Sequence, residues 1–338
     1  MKPQAYTEFQ PLEKVVIGRN FDPKIVDSFD ALPKVKSLLK RMFEETEEDF
    51  QHLIKVCETF GAEVIRPEYD YSKIKNFSYP YLNQPRDASI VLGDKILICL
   101  NDINYLKSMI KCLKQYKDYL LVEPKLYGLR CPTIARLGKD ILGDVGGYTI
   151  KERHWKFLKE NFPEFNFKDN KLVTDEVIPM TGALHADSIF TILKPGLILT
   201  EKRSHLYNDL YPNWDIIEVR RNQSIINKWI YGTKEKMFPY IYAFSNKEYH
   251  QEAFYQYINK WLTHWVGFSQ ETVWDINCLI LDEQNVVFSQ ENKELFKKLE
   301  KHKINPIVSP YRHRWFWDGG IHCVTLDIKR KGGCERYL

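Results

Sequence analysis

Apolar runs of four or five residues recur along the chain, paired across tight turns. They appear as Ala88–Cys99 (ASIVLGDKILIC, turning at Gly93-Asp94) and Thr133–Gly143 (TIARLGKDILG, turning at Gly138-Lys139). They appear again as Ser188–Thr200 (SIFTILKPGLILT, turning at Pro195-Gly196) and Asn277–Phe288 (NCLILDEQNVVF, turning near Asp282–Asn285). Gly-Asp, Gly-Lys and Pro-Gly between β-branched runs predict hairpins, because glycine reaches the positive φ that such turns need. After a helical or loop stretch a further short strand follows, as at Tyr119–Glu123, Asp215–Val219 and Pro306–Ser309. Near the N-terminus a helix from about Leu32 to Phe60 precedes a strand at Glu63–Arg66, with Gly61 placed where a C-terminal cap belongs. The strand Lys14–Gly18 has no neighbouring hairpin partner, and the last apolar stretch, Ile321–Ile328, is predicted to supply one. Together these segments predict five β-β-α-β units in a ring, the last strand closing onto the first, as one α/β domain over residues 1–338. The stretch from Asn222 to Ser269, rich in Trp, Tyr and Phe, breaks the pattern and reads as a helical insertion packed over one face.

Composition narrows the function. A chain of 338 residues with 44% apolar content can bury a substantial core. The net charge of +4 is spread along the chain, which gives no electrostatic footprint for nucleic acid or an anionic membrane. No apolar run approaches the roughly 20 residues of a bilayer span. The opening MKPQAYTEFQPLEK lacks the apolar core of a secretory signal. Seven scattered cysteines show no CxxC pair and no zinc spacing, so free thiols in a reducing cytoplasm are expected, with no metal and no cofactor.

If the units are equivalent, the residues that open each hairpin gather around one end of the ring. Those residues are Asp87, Arg130 to Thr133, His185 and Asp187, Gln270 and Glu271, and His322-Cys323. An Asp before a strand is ordinarily a turn residue, and a Cys between apolar neighbours is ordinarily core. His-x-Asp at 185 and 187 would place both side chains on one face of a strand. Their shared place in the repeat is what turns them into a site. The chemistry they suit is narrow. A thiol becomes a nucleophile beside a histidine, and a pair of carboxylates suits a planar guanidinium, whose fork of N–H donors they engage bidentately. The set fits thiol attack on a guanidine carbon better than it fits a metal.

The motifs around these residues resemble the amidinotransferases of the guanidino-group-modifying, or pentein, superfamily. EFQPLEKVVIGR (Glu8–Arg19), GAEVIRP (Gly61–Pro67), QPRDASIVLGDKIL (Gln84–Leu97) and LGKDIL (Leu137–Leu142) follow in the family's order. LHADSIFTILKPGLIL (Leu184–Leu199), INCLILDEQNVV (Ile276–Val287) and the closing GGIHCVTLDIKRKG (Gly319–Gly332) continue it. The resemblance implies a five-bladed α/β propeller of ββαβ modules with pseudo-fivefold arrangement. It implies transfer of the amidino group of L-arginine to glycine or another amine through an amidino-cysteine, releasing ornithine. Cys323 then matches the nucleophile and His185 the general acid/base, while Asp87 and Asp187 hold the donor guanidinium. Arg203 lies one residue from the arginine that binds the amino-acid carboxylate, and homodimers are common among such enzymes. A hydrolase that admits water in the second step, or a pocket-retaining binding protein, are the alternatives.

Three departures stand out. Gln270 and Glu271 replace two substrate-contacting serines, which favours an acceptor larger than glycine or bearing an extra amine. The loop RHRWFWD (Arg312–Asp318) is bulkier than the family's small polar residues. The carboxylate that orients the histidine falls on Arg130 here. Hairpin register pairs Thr133 with Asp144, so Asp144 is expected to take over that role from the neighbouring strand.

Overall fold

A computed structural model describes residues 2–68, 82–143, 150–169, 185–201, 203–219, 274–317 and 319–338. Asp144, Gln270, Glu271 and the aromatic-rich segment 222–269 lie outside the described residues.

The strands fall into five three-stranded sheets, each with a middle strand antiparallel to one neighbour and parallel to the other. The first sheet holds β1 (Leu12–Ile17) between β2 (Glu63–Ile65) and the last strand, β15 (Thr325–Arg330). The expected pairing of the chain's two ends is therefore present, with Ile17 opposite Thr325. Three of the other four sheets begin with the hairpins β3–β4 (Ser89–Leu92, Lys95–Ile98), β6–β7 (Ile134–Leu137, Asp140–Gly143) and β9–β10 (Phe190–Lys194, Leu197–Thr200). The remaining sheet begins with β12–β13 (Leu279–Asp282, Asn285–Phe288). In each, a helix follows the hairpin before the third strand: β5 (Leu120–Leu121), β8 (Asn166–Asp169), β11 (Asp215–Glu218) or β14 (Asn305–Val308).

Helix α1 (Pro33–Thr59) shows why the local sequence folds as it does. Pro33 opens it, and Val35, Leu38, Leu39, Met42, Phe43, Phe50, Leu53 and Cys57 recur at helical spacing and are buried. Each large apolar side chain so buried contributes about 1.5–3 kcal/mol. Gly61, at φ +82°, ends it: the Gly61 N–H donates to the Glu58 carbonyl and the Ala62 N–H to the Cys57 carbonyl, at 2.9 and 3.0 Å.

Two expectations change. His185 and Asp187 do not lie on a strand. Ala186–Ser188 forms a 3₁₀ turn that His185 caps, and the strand starts only at Phe190. The last strand likewise starts at Thr325, so His322 and Cys323 sit on the turn before it. The bulky segment from Arg312 contains a short helix, Arg314–Trp317, and docks onto α1. Arg312 pairs with Asp49 at 2.8 Å and Glu48 at 2.7 Å, and His313 Nε2 lies 2.6 Å from Glu45. Trp317, fully buried, donates its indole N–H to Thr46 Oγ1 at 2.8 Å.

Candidate active site

Short turns lead into the sheets and carry the polar residues. Pro85–Asp87 precedes β3, Cys131–Thr133 precedes β6 and Ala186–Ser188 precedes β9, all as 3₁₀ turns, and each touches the next. Asn277 stands at the corresponding place before β12, and Cys323 before β15. Asp87, Asp187 and Cys323 thus enter the site from equivalent points of three units.

Cys323 is buried, and its Sγ lies 3.9 Å from Asp187 Oδ2. The same Oδ2 is 2.6 Å from His322 Nδ1, while Asp187 Oδ1 is buried without a hydrogen-bond partner among the described residues. His185 Nδ1 lies 3.9 Å from Asp87 Oδ1. Cys323 hydrogen-bonds to Asn277 and lies near Asp187. Arg203 is exposed three residues beyond β10, and Arg130 is exposed at the start of its turn. The structure therefore brings Cys323 and Asp187 together and sets His185 beside Asp87. A small cavity of about 20 Å³ is lined by Glu8, Asp187 and His322 together with Phe190, Ile192 and Ile280.

The turns are tied to one another from beneath. The Gln84 side-chain amide donates to the Trp317 carbonyl at 2.5 Å, and Arg86 Nε donates to the carbonyls of His322 (3.0 Å) and Thr325 (2.9 Å). Those bonds fasten the turn that bears Asp87 to the turn that bears Cys323. Asn277 fastens the turn of Cys323 from the other side, through its Oδ1 to the N–H groups of His322 and Cys323 at 3.0 and 3.1 Å.

Below the site lies a buried ionic cluster of three arginines and two carboxylates. Arg136 forks onto Glu8 at 2.6 and 2.7 Å and also reaches Asp327, which accepts further bonds from Arg86 and Arg330. Arg136 also donates to the Val91 carbonyl, and Arg330 to the carbonyls of Gln10 and Ile280. The cluster consequently joins four sheets, through β15, β6, β3 and β12. Burial alone would push Asp327 up, but the guanidiniums of Arg136, Arg86 and Arg330 outweigh it and hold the carboxyl well below its usual range. Glu8 is shifted the same way: burial raises it, and Arg136 together with a His322 hydrogen bond reverses the direction. Glu8 faces His322 Nε2 at 3.6 Å and so links the cluster to the site.

Glu8, Arg86 and Asn277 escaped the sequence reading as functional residues, although all three lie inside or beside the motifs that carried it. His322 was placed on the rim without a role.

No family model matches the chain. It is 37% identical over 405 aligned positions to the mitochondrial glycine amidinotransferase of Xenopus laevis, covering 99% of this chain and 84% of that one. It is 24% identical over 392 positions to the L-arginine:L-lysine amidinotransferase of Pseudomonas savastanoi pv. phaseolicola, covering 99% and 96%. Among solved structures, an amidinotransferase of saxitoxin biosynthesis from Microseira wollei superposes with a TM-score of 0.67 at 18% identity, covering 99% of both chains. The structural likeness carries the fold, and the sequence likeness runs from one end of the chain to the other. The chain belongs to the amidinotransferase family.

Proposed function

We propose that this amidinotransferase takes the amidino group from L-arginine onto Cys323 and passes it to an amine acceptor, releasing ornithine. One observation carries the reading. A buried thiol lies 3.9 Å from a carboxylate whose other oxygen, Asp187 Oδ1, has no hydrogen-bond partner among the described residues. A buried acceptor left open beside a nucleophile is what a guanidinium N–H would fill.

The reaction follows from these groups. Asp187, with Asp87, fixes the guanidinium plane and balances its charge while the Cys323 thiolate attacks the central carbon. The C–S bond forms, the bond from carbon to the ornithine nitrogen breaks, and His185 gives the departing amine its proton. The acceptor amine then loses a proton to His185 and attacks the amidino carbon, which returns the sulfur as thiolate. Asp144 is assigned to orient His185, and Arg203 to hold the amino-acid carboxylate of the donor. Gln270 and Glu271 are assigned to the acceptor, where added length and negative charge favour an amine larger or more cationic than glycine. The relative from Pseudomonas savastanoi is named for lysine as acceptor, in keeping with that preference.

The architecture favoured here is one domain over residues 1–338, its five sheets set around an axis as a five-bladed propeller. Pairing of the chain's two ends and the ionic cluster that joins four sheets both support it. All seven cysteines are free, which suits a reducing compartment.

The test is intact mass after brief exposure to arginine, followed by assay for ornithine, citrulline and the amidino product of each acceptor offered. An amidino adduct lost in Cys323→Ser and a transferred product support the reading. Citrulline as the sole product would make the protein a hydrolase, and absence of any adduct or turnover would make it a binding protein.

A further inference from the structure

Asn277 is fully buried, 46 positions before Cys323 in the chain, and its side-chain amide touches the nucleophile turn at three points. Its Oδ1 accepts from the N–H groups of His322 and Cys323, at 3.0 and 3.1 Å. Its Nδ2 lies 3.0 Å from Cys323 Sγ. An amide's two ends are distinguished by their partners. Two backbone donors converge on one end, so that end is the oxygen, and the NH₂ group faces the sulfur.

We propose that Asn277 is a catalytic residue: its amide N–H donates to Cys323 Sγ and stabilises the thiolate that attacks substrate. The inference rests on Cys323 being the nucleophile and adds a group that tunes it. The neighbouring carboxylate gives such a donor work to do. Asp187 Oδ2 stands 3.9 Å from the sulfur, and a carboxylate that near opposes a second negative charge. His322, next in the chain, has its Nδ1 on that same carboxylate rather than on the thiol. A neutral amide fixed by two backbone N–H groups supplies a donor without adding charge to a site that must admit a guanidinium.

Gly320 is what lets the amide approach. A Cβ at Gly320 would stand 2.5 Å from Asn277 Oδ1 and 2.7 Å from its Cβ. At Gly319 it would stand 3.2 Å from the Cβ of Cys323. The glycine pair ahead of the nucleophile leaves room for Asn277 on one side and Gln84 on the other.

The test is ultraviolet thiolate absorbance against pH, with the spectrum of Cys323→Ser subtracted. Burial lifts Cys57 and Cys112 to about 12, so they stay silent in the working range. Asn277→Asp keeps an oxygen for the two backbone donors and replaces the N–H at the sulfur with a second carboxylate oxygen. Its thiol midpoint should rise by more than about one pH unit, and that of Asn277→Ala by about one unit. Midpoints equal to the wild type in whichever variant retains the native circular dichroism would overturn the role. The titration uses no arginine, so its outcome stands apart from whether amidino transfer is observed.

Discussion

His322 Nδ1 lies 2.6 Å from Asp187 Oδ2, and the residue that follows His322 is the thiol 3.9 Å from that same oxygen. One carboxylate therefore anchors the turn of His322 and Cys323 with one oxygen and leaves the other toward the site. With Nδ1 donating, His322 fixes the rotation of the Asp187 carboxylate, while its Nε2 rests 3.6 Å from Glu8 at the edge of the ionic cluster. His322 is thus placed to position Asp187.

His322→Ala should raise the arginine KM by about ten- to a hundredfold, the loss expected when a carboxylate forfeits a charge-assisted hydrogen bond. His322→Asn, whose amide N–H can stand near the position of Nδ1, should recover most of it, with kcat changing less than KM in both. Steady-state kinetics over an arginine series gives the split. An unchanged KM in the alanine variant would remove His322 from substrate positioning.

Cys323→Ser should lower turnover by about a thousandfold or more, because serine at this position has no equivalent path to a nucleophilic anion. Arginine affinity, measured by calorimetry, should stay within about threefold, since nucleophile and guanidinium clamp are separate groups. Full turnover in this variant would sink the covalent route.

Asp327→Asn should cost about 3–5 kcal/mol of stability near neutral pH, because it leaves buried guanidiniums uncompensated. The folded-state carboxyls of Asp327 and Glu8 are both held below their unfolded values. Their contribution is therefore complete above the ordinary carboxylate range, about pH 4, and is lost as pH falls toward the folded-state values. The gap between wild type and Asp327→Asn in urea midpoint should narrow below about pH 4. A gap independent of pH would show that Asp327 acts by packing alone.

The hairpins were legible because their chemistry is local. Gly93, Gly138 and Gly196 all take the positive φ that their turns require, and the strands flank them as expected. The strand Asn166–Asp169 was not legible. Its sequence, NFKD, is polar, and it lies at a sheet edge, held by parallel backbone pairing to Asp140–Gly143. The placement of Cys323, Asp87 and Asp187 was readable from their common position in the repeat. Asn277, Glu8 and Arg86 were not. Asn277 meets Cys323 across 46 positions, and Arg86 meets Asp327 across 241, so no local pattern marks either residue. The bulk at Arg312 and Trp317 had no local explanation for a related reason: both contact α1, more than 260 positions earlier.

Gly320→Ala separates nucleophile activation from the rest of the fold. The glycine is buried, and an added Cβ would meet Oδ1 of Asn277 at 2.5 Å and its Cβ and Cγ at 2.7 Å. Real Cβ atoms do not approach so closely, so Asn277 must withdraw and lose its bonds to the turn and to the sulfur. Overpacking of one methyl costs about 1–3 kcal/mol, which a chain of this size should survive. Turnover should fall by at least about tenfold, since the hydrogen bond from the Asn277 amide N–H to the sulfur is lost outright. Gly333→Ala is the control, because a Cβ there meets nothing within 4 Å. It should leave both turnover and urea midpoint unchanged. If Gly320→Ala keeps wild-type turnover while folded, the close approach of Asn277 to Cys323 has no part in the reaction.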